Sequence, residues 1–280
     1  MDRHEICISR PGLQRHYKVL VNGEIVMGGV SNKTSVETEW ILTVLAVDSE
    51  QNAKIELITL DTHVLEATNE AFRELSIIAN QLKKVTQTLV CTIDKRGKVL
   101  RVINSAQIAD RWNQLKSEIV SMCGRTGDMT DFFNINEKLF NDQEILKLYV
   151  GQLEFFKLYF NDLYGRKLSS YEPRKTENAF KTSFLSYDMF LDHDEDSRLS
   201  RIRFKGVNFS TYKKWLSEAY GQFPFVDVQK ITPQFTIEGE YLMEKENGLL
   251  KKAKLLWEED VSKELRSHTE YIITEKHSSI

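Results

Sequence analysis

The run Asp192-His193-Asp194-Glu195-Asp196 places four carboxylates and one imidazole side by side. Hard divalent cations are held by such oxygen-rich loops. Laid on a calcium-binding loop, Asp192, Asp194 and Asp196 take the first, third and fifth positions. The sixth, where the sharp turn requires Gly, is Ser197, and the twelfth, where a bidentate Glu closes the shell, is Arg203. The run therefore reads as a solvated acidic loop between Phe190 and Ile202, and no metal ligand is assigned. Asp61 and His63, at i and i+2 near a strand end, point to one face, yet no nucleophile accompanies them; a strand-end hydrogen bond accounts for the spacing. Glu238, Glu240 and Glu244 pose the same question for paired-carboxylate chemistry, and the wet face of an amphipathic strand answers it. Gly12, Gly23, Gly28 and Gly29 form neither a dinucleotide-binding fingerprint nor a phosphate-binding loop. No G-x-S-x-G elbow occurs, and the six histidines include no His-Glu-x-x-His pair. No catalytic, cofactor-binding or metal-ligating residue is assigned.

Composition narrows the classes further. The chain of 280 residues is 41% hydrophobic and 28% charged, with 13 Gly and 4 Pro, so it folds and buries a core. A net charge of -3, with bases and acids interspersed, offers no basic field for nucleic acid, which is not expected as a partner. Cys7, Cys91 and Cys123 are odd in number and far apart, which fits reduced structural thiols. No window approaches the length of an apolar membrane span. Met1 to Pro11 lacks a signal-like apolar stretch, so the expectation is a cytoplasmic protein, or a periplasmic or lipoprotein-derived one if a leader has been removed.

The elements that would position any site follow from periodicity. Tyr17, Val19 and Val21 alternate up to Asn22-Gly23, a strong hairpin-turn signal, and Ile25 and Met27 resume the alternation. Val36, Thr38, Trp40, Leu42, Val44 and Ala46 share one face of the next strand, and Lys54 to Leu60 makes another. Helical period begins at Glu66, with Leu75, Ile78, Ala79 and Leu82 on one face. A second hairpin turns at Asp94-Lys95-Arg96-Gly97, and Ser105 opens a helix through Val120. The boundary falls near Gly124 to Thr130, giving residues 1–128 as an antiparallel sheet with two helices. Residues 129–280 form an aromatic-rich helical segment closing with antiparallel strands, and the two stretches are also compatible with one continuous domain. The last strands run from Gln234 to Met243, Leu249 to Trp257 and Glu270 to Thr274. The fold class is α+β, with meanders and hairpins packed against several helices.

The middle of the chain holds 21 of the 29 aromatic residues, between Phe132 and Phe225, so function is sought there. One long helix from about Asn136 to Leu163 is expected, apolar around so much of its circumference that it needs cover on more than one side. Such crowding fills a core, lines a cavity or anchors a partner. Trp40, Phe155, Phe156, Tyr159 and Phe160 are the candidates for an apolar-ligand wall or a partner surface.

The strand succession, closing with Gly239-Glu240-Tyr241-Leu242-Met243 and Gly248-Leu249-Leu250, resembles the bacterial lipoprotein-localisation carriers and their lipoprotein relatives. That resemblance implies curved antiparallel sheets wrapped around helices over an apolar cup; no functional residue is carried over. The first expectation is a non-enzymatic interaction protein, of adaptor, chaperone-like or immunity type, whose partner is another protein. The alternative is a carrier of an apolar small molecule or lipid, and behind both stands an enzyme with a convergent acidic site. No cofactor is expected in the first two.

Overall fold

The computed structural model describes residues 5–60, 62–123 and 129–276, with the backbone alone for 71–78, 121–123 and 195. Asp61, the expected boundary at 124–128 and the end of the polar tail lie outside the described residues. The chain runs β1 (Gln14–Met27), β2 (Val30–Val47), β3 (Ala53–Thr59), β4 (His63–Ala67), α1 (Glu70–Val85), β5 (Thr88–Ile93), β6 (Val99–Val102) and α2 (Ser105–Cys123). It continues with α3 (Thr130–Asn141), α4 (Gln143–Gly151), α5 (Glu154–Phe160), β7 (Tyr171–Glu177), β8 (Phe184–Glu195), β9 (Leu199–Val207) and α6 (Lys213–Tyr220). The chain then closes with β10 (Gln234–Glu244), β11 (Leu250–Ser262) and β12 (Leu265–Glu275).

All these strands belong to one curved, open, antiparallel sheet in the order β6-β5-β3-β2-β1-β12-β11-β10-β9-β8-β7, with β4 also paired to β2. The fold is α+β, as the sequence implies, and the curvature expected of carrier-like sheets is present. So many twisted strands do not stay flat; the sheet curls around what packs on it. Period-two alternation separates its faces. The inner face carries Tyr17, Val19, Trp40, Leu42, Ile202, Tyr241, Ala253, Leu255 and Ile273, all buried. The outer face carries cross-strand ion pairs, among them Lys18–Glu37 (2.7 Å), Lys254–Glu270 (2.8 Å), Arg203–Asp192 (3.0 Å) and Arg201–Glu240 (3.1 Å). Exposed pairs of this kind add at most about 1 kcal/mol each, so the buried inner face dominates stability.

Four expectations need correction. Asn22-Gly23 is not a turn: β1 passes straight through it, because Asn22 is held by Ser35 and Glu270 on the flanking strands. The reversal falls at Gly28 and Gly29, whose φ values of 61° and 79° supply the two left-handed residues a tight hairpin needs. The acidic run is likewise no loop. Asp192, His193 and Asp194 lie in β8, where Asp192 and Asp194 stand opposite Arg203 and Arg201 of β9. Helical structure does not begin at Glu66, which lies in β4, paired with Ser35 of β2. The single helix from Asn136 to Leu163 is three helices instead. Asp142, extended at φ -95°, ends α3 and accepts the amide hydrogens of Glu144 and Ile145 at the start of α4. Extended Leu153 then separates α4 from α5.

Two of the groups of side chains that cover the inner face matter for the site. One comes from α5 and the turn after it, seated on Tyr17 and Trp40. The other comes from α6 and its flanking segments, where Trp215 packs on Phe235 (6.1 Å) and donates its indole hydrogen to the Phe184 carbonyl (2.8 Å).

Candidate functional site

The α5 group is built by backbone geometry. Asn161 and Asp162 have φ of 40° and 53°, reversing the chain so that Tyr164 follows Phe155, Phe156, Tyr159 and Phe160 onto the sheet. Trp40 meets Phe155 edge-on at 5.3 Å, and Phe155 stacks on Tyr159 at 4.9 Å. Gly97, at φ 82° in the second hairpin, leaves the space filled by the Phe160 ring. The Tyr17 hydroxyl donates to the Leu250 carbonyl (3.0 Å), and the Tyr159 hydroxyl accepts the Leu250 amide hydrogen (3.0 Å). Burial pushes the Tyr159 hydroxyl up to about 12, so it stays protonated at neutral pH and acts as structural glue. The five residues expected as a wall or partner surface are thus brought together, but as packed core: Trp40, Phe155, Phe156, Tyr159 and Phe160 are each 5% exposed or less.

At the rim above Tyr17, Arg15 and Lys251 alternate with Glu244 and Glu275. Arg15 lies 3.1 Å from Glu244 and 2.9 Å from Glu275; Lys251 lies 2.7 Å from each. Burial would raise the Glu244 carboxyl, but hydrogen bonds from Lys251, Asn247 and Arg15 outweigh it and hold the group at about 2. A neighbouring cleft of about 330 Å³ is lined in part by Cys7, Ser200, Met243 and Glu244. Glu244 is already paired within the rim cluster, and Glu5, Lys245 and Glu246 also line the cleft.

Between the two covering groups the inner face is open. Along β11, Leu255 is 1% exposed, Trp257 40% and Glu259 4%. Along β12, Ile273 and Ser267 are buried while Tyr271 and Thr269 are half-buried. β1 and β2 fall without that return: Val19 and Thr38 are buried, Val21 and Val36 half-buried, and Ile25 and Val30 are 41% and 62% exposed. These positions are neighbours by register. Val21 stands opposite both Val36 and Tyr271, and Gly23 lies between Thr34 and Thr269, opposite which sits Trp257. The result is one apolar strip on the core side of the sheet, floored by Val21, Ile25 and Val36 and walled by Trp257 and Tyr271.

Sequence reasoning missed this strip. Reading Asn22-Gly23 as a turn separated Ile25 from the face of Tyr17, Val19 and Val21. Had the alternation been carried through it, Ile25 would have joined that face. Trp257 sits two residues from Leu255 and Glu259, so its face was legible, but nothing local marks it as uncovered.

Other residues singled out by type do not converge. His63 is exposed, and its expected partner Asp61 is outside the described residues. Glu240 pairs with Arg201 on the outer face, and Glu244 belongs to the rim cluster. His193 contacts the Ser200 hydroxyl at 2.7 Å. Cys7 and Cys91 are free thiols. Among the described residues no helix is long and apolar enough to cross a membrane.

The site therefore belongs to an α+β protein with a single curved sheet and an uncovered apolar strip on its inner face. No protein-family model and no curated protein matches the chain. Among solved structures, one described as "lipid-protein interactions in lipovitellin" is similar over 96% of this chain, with 8% identity and a TM-score of 0.47. The match takes in 25% of that protein's length, and at that score the likeness carries no argument.

Proposed function

We propose that the protein is a non-enzymatic carrier that binds an apolar small molecule in the strip between the α5 and α6 groups. The supporting observation is the fall of burial along four adjacent strands on the core side of the sheet, with burial restored beyond the strip on β11 and β12. One face of an antiparallel sheet normally closes against the core while the other meets water. Apolar side chains left bare on the core side gain about 25 cal/mol for each Å² that a ligand covers. The strip has aliphatic residues for a chain and two aromatic walls to fix its position.

Native mass spectrometry of protein purified from its own cells tests the reading. The expected outcome is a mass excess of a few hundred daltons that is lost on denaturation, with Ile25→Asp and Val36→Asp abolishing it. A second polypeptide in place of that excess would replace the carrier with an interaction protein. A bare chain that also fails to take up added dodecanoate would end the proposal.

A further inference from the structure

The open strip carries a second kind of information, in its rings and charges. Trp257 and Tyr271 lie on adjacent strands with ring centroids 6.5 Å apart and planes inclined at 77°, so they form two sides of a corner. A cation within about 6 Å of such ring faces is held by their quadrupoles, most strongly when partly desolvated. The inner-face positions around the corner, from Val21 to Ile25, Asn32 to Val36, Leu255 to Trp257 and Thr269 to Tyr271, include no Lys or Arg. The bases of these strands alternate to the outer face, where Lys18, Lys254 and Arg266 face Glu37, Glu270 and Glu24. Burial raises the Tyr271 hydroxyl, and the negative charge of exposed Glu154, in the first turn of α5, raises it further. The field of a carboxylate therefore reaches Tyr271, and the strip carries no base of its own.

Resting on the carrier reading, we propose that Trp257 and Tyr271, within the field of Glu154, receive the quaternary or protonated amine head of a single-chain amphiphile whose tail lies along Val21, Ile25 and Val36. An anionic head would meet Glu154 and the negative ring faces, and a neutral head would gain from neither. The geometry thus selects by sign of charge as well as by apolarity.

Trp40, Trp112 and Trp215 are each 4% exposed or less, so ligand-induced change in tryptophan emission reports on Trp257. Dodecyltrimethylammonium, dodecyl maltoside and dodecanoate, titrated below their micelle concentrations, share one tail and differ in head. The cationic chain should bind about tenfold more tightly than the neutral one, and dodecanoate most weakly. Tyr271→Leu keeps an apolar wall without the ring and should reduce the cationic preference about fivefold; Glu154→Gln should reduce it about threefold. Glu264→Gln, at the exposed turn between β11 and β12, should leave it unchanged, separating the local carboxylate from the net charge of -3. Equal binding of all three chains would overturn the head-group assignment and leave the carrier reading standing. A cationic preference that survives both Tyr271→Leu and Glu154→Gln would also overturn it. Binding of none of the three would remove both.

Discussion

Glu259 is a buried carboxyl with hydrogen-bond donors around it and, among the described residues, no cation paired to it. It accepts the Ala179 amide hydrogen (2.7 Å), the Tyr220 hydroxyl hydrogen (2.8 Å) and, more loosely, the Asn178 amide hydrogen (3.3 Å). One side chain of β11 thereby ties down α6 and the turn between β7 and β8, the two pieces that bound the open strip on one side. Burial raises its titration above the usual 4.5, with the three donors working in the opposite direction without overcoming it. A folded-state value above the unfolded one means the native protein holds this proton more tightly. The associated stability is full below pH 4.5 and is lost as pH rises through the folded-state value. Glu259→Gln keeps an acceptor for the Ala179 amide hydrogen while removing the titration. Thermal unfolding from pH 5 to pH 8 should show a melting temperature that declines in the wild type more than in Glu259→Gln. An equal decline in both would mean that other groups set the slope.

At the scale of elements, the break between α3 and α4 rests on Asp142. Its carboxylate caps two amides at 2.9 and 3.0 Å, and Asp142→Ala should cost about 1 kcal/mol, read as a lower urea midpoint with an unchanged slope. A neutral outcome would place the break on packing alone. The first and last strands of the chain were legible because they alternate, as Lys252, Lys254 and Leu256 do against Ala253, Leu255 and Trp257 in β11. The strands β7 to β9 were not. Tyr187, Met189 and Leu191 face inward, yet Phe184 and Phe190 on the outward side are also large and apolar, which erases the period of two. The helix breaks were hidden for the opposite reason: Ile145, Tyr149, Phe156 and Phe160 keep a helical spacing that bridges Gln152-Leu153 by coincidence. As for the site, the aromatic cluster was legible as a cluster, since its members are sequence neighbours. The open strip was not, because its floor and walls come from distant strands and only the pairing of β1 with β12 assembles them.

The whole molecule depends on that pairing. β1 and β12 run side by side from Tyr17 opposite Glu275 to Met27 opposite Leu265, at the middle of the sheet. A chain ended after Lys263 would lose β12 and leave β1 and β11 as two long unpaired edges facing one another. Such a chain should be recovered in the insoluble fraction, with sedimentation of the lysate as the measurement. A soluble, monodisperse product would show that the two halves of the sheet close independently.

The same pairing fixes an order of events in the life of each molecule. Val21 and Tyr271, opposite one another on the strip, are 250 residues apart in the sequence (271 − 21). A ribosome makes Val21 well before Tyr271, and long-range strand pairing of this kind is slow to form. The pocket floor therefore waits, half made, while the intervening strands and helices emerge. If the protein carries a ligand as proposed, loading waits until β12 has paired with β1, and a chain still being made would take up none of it.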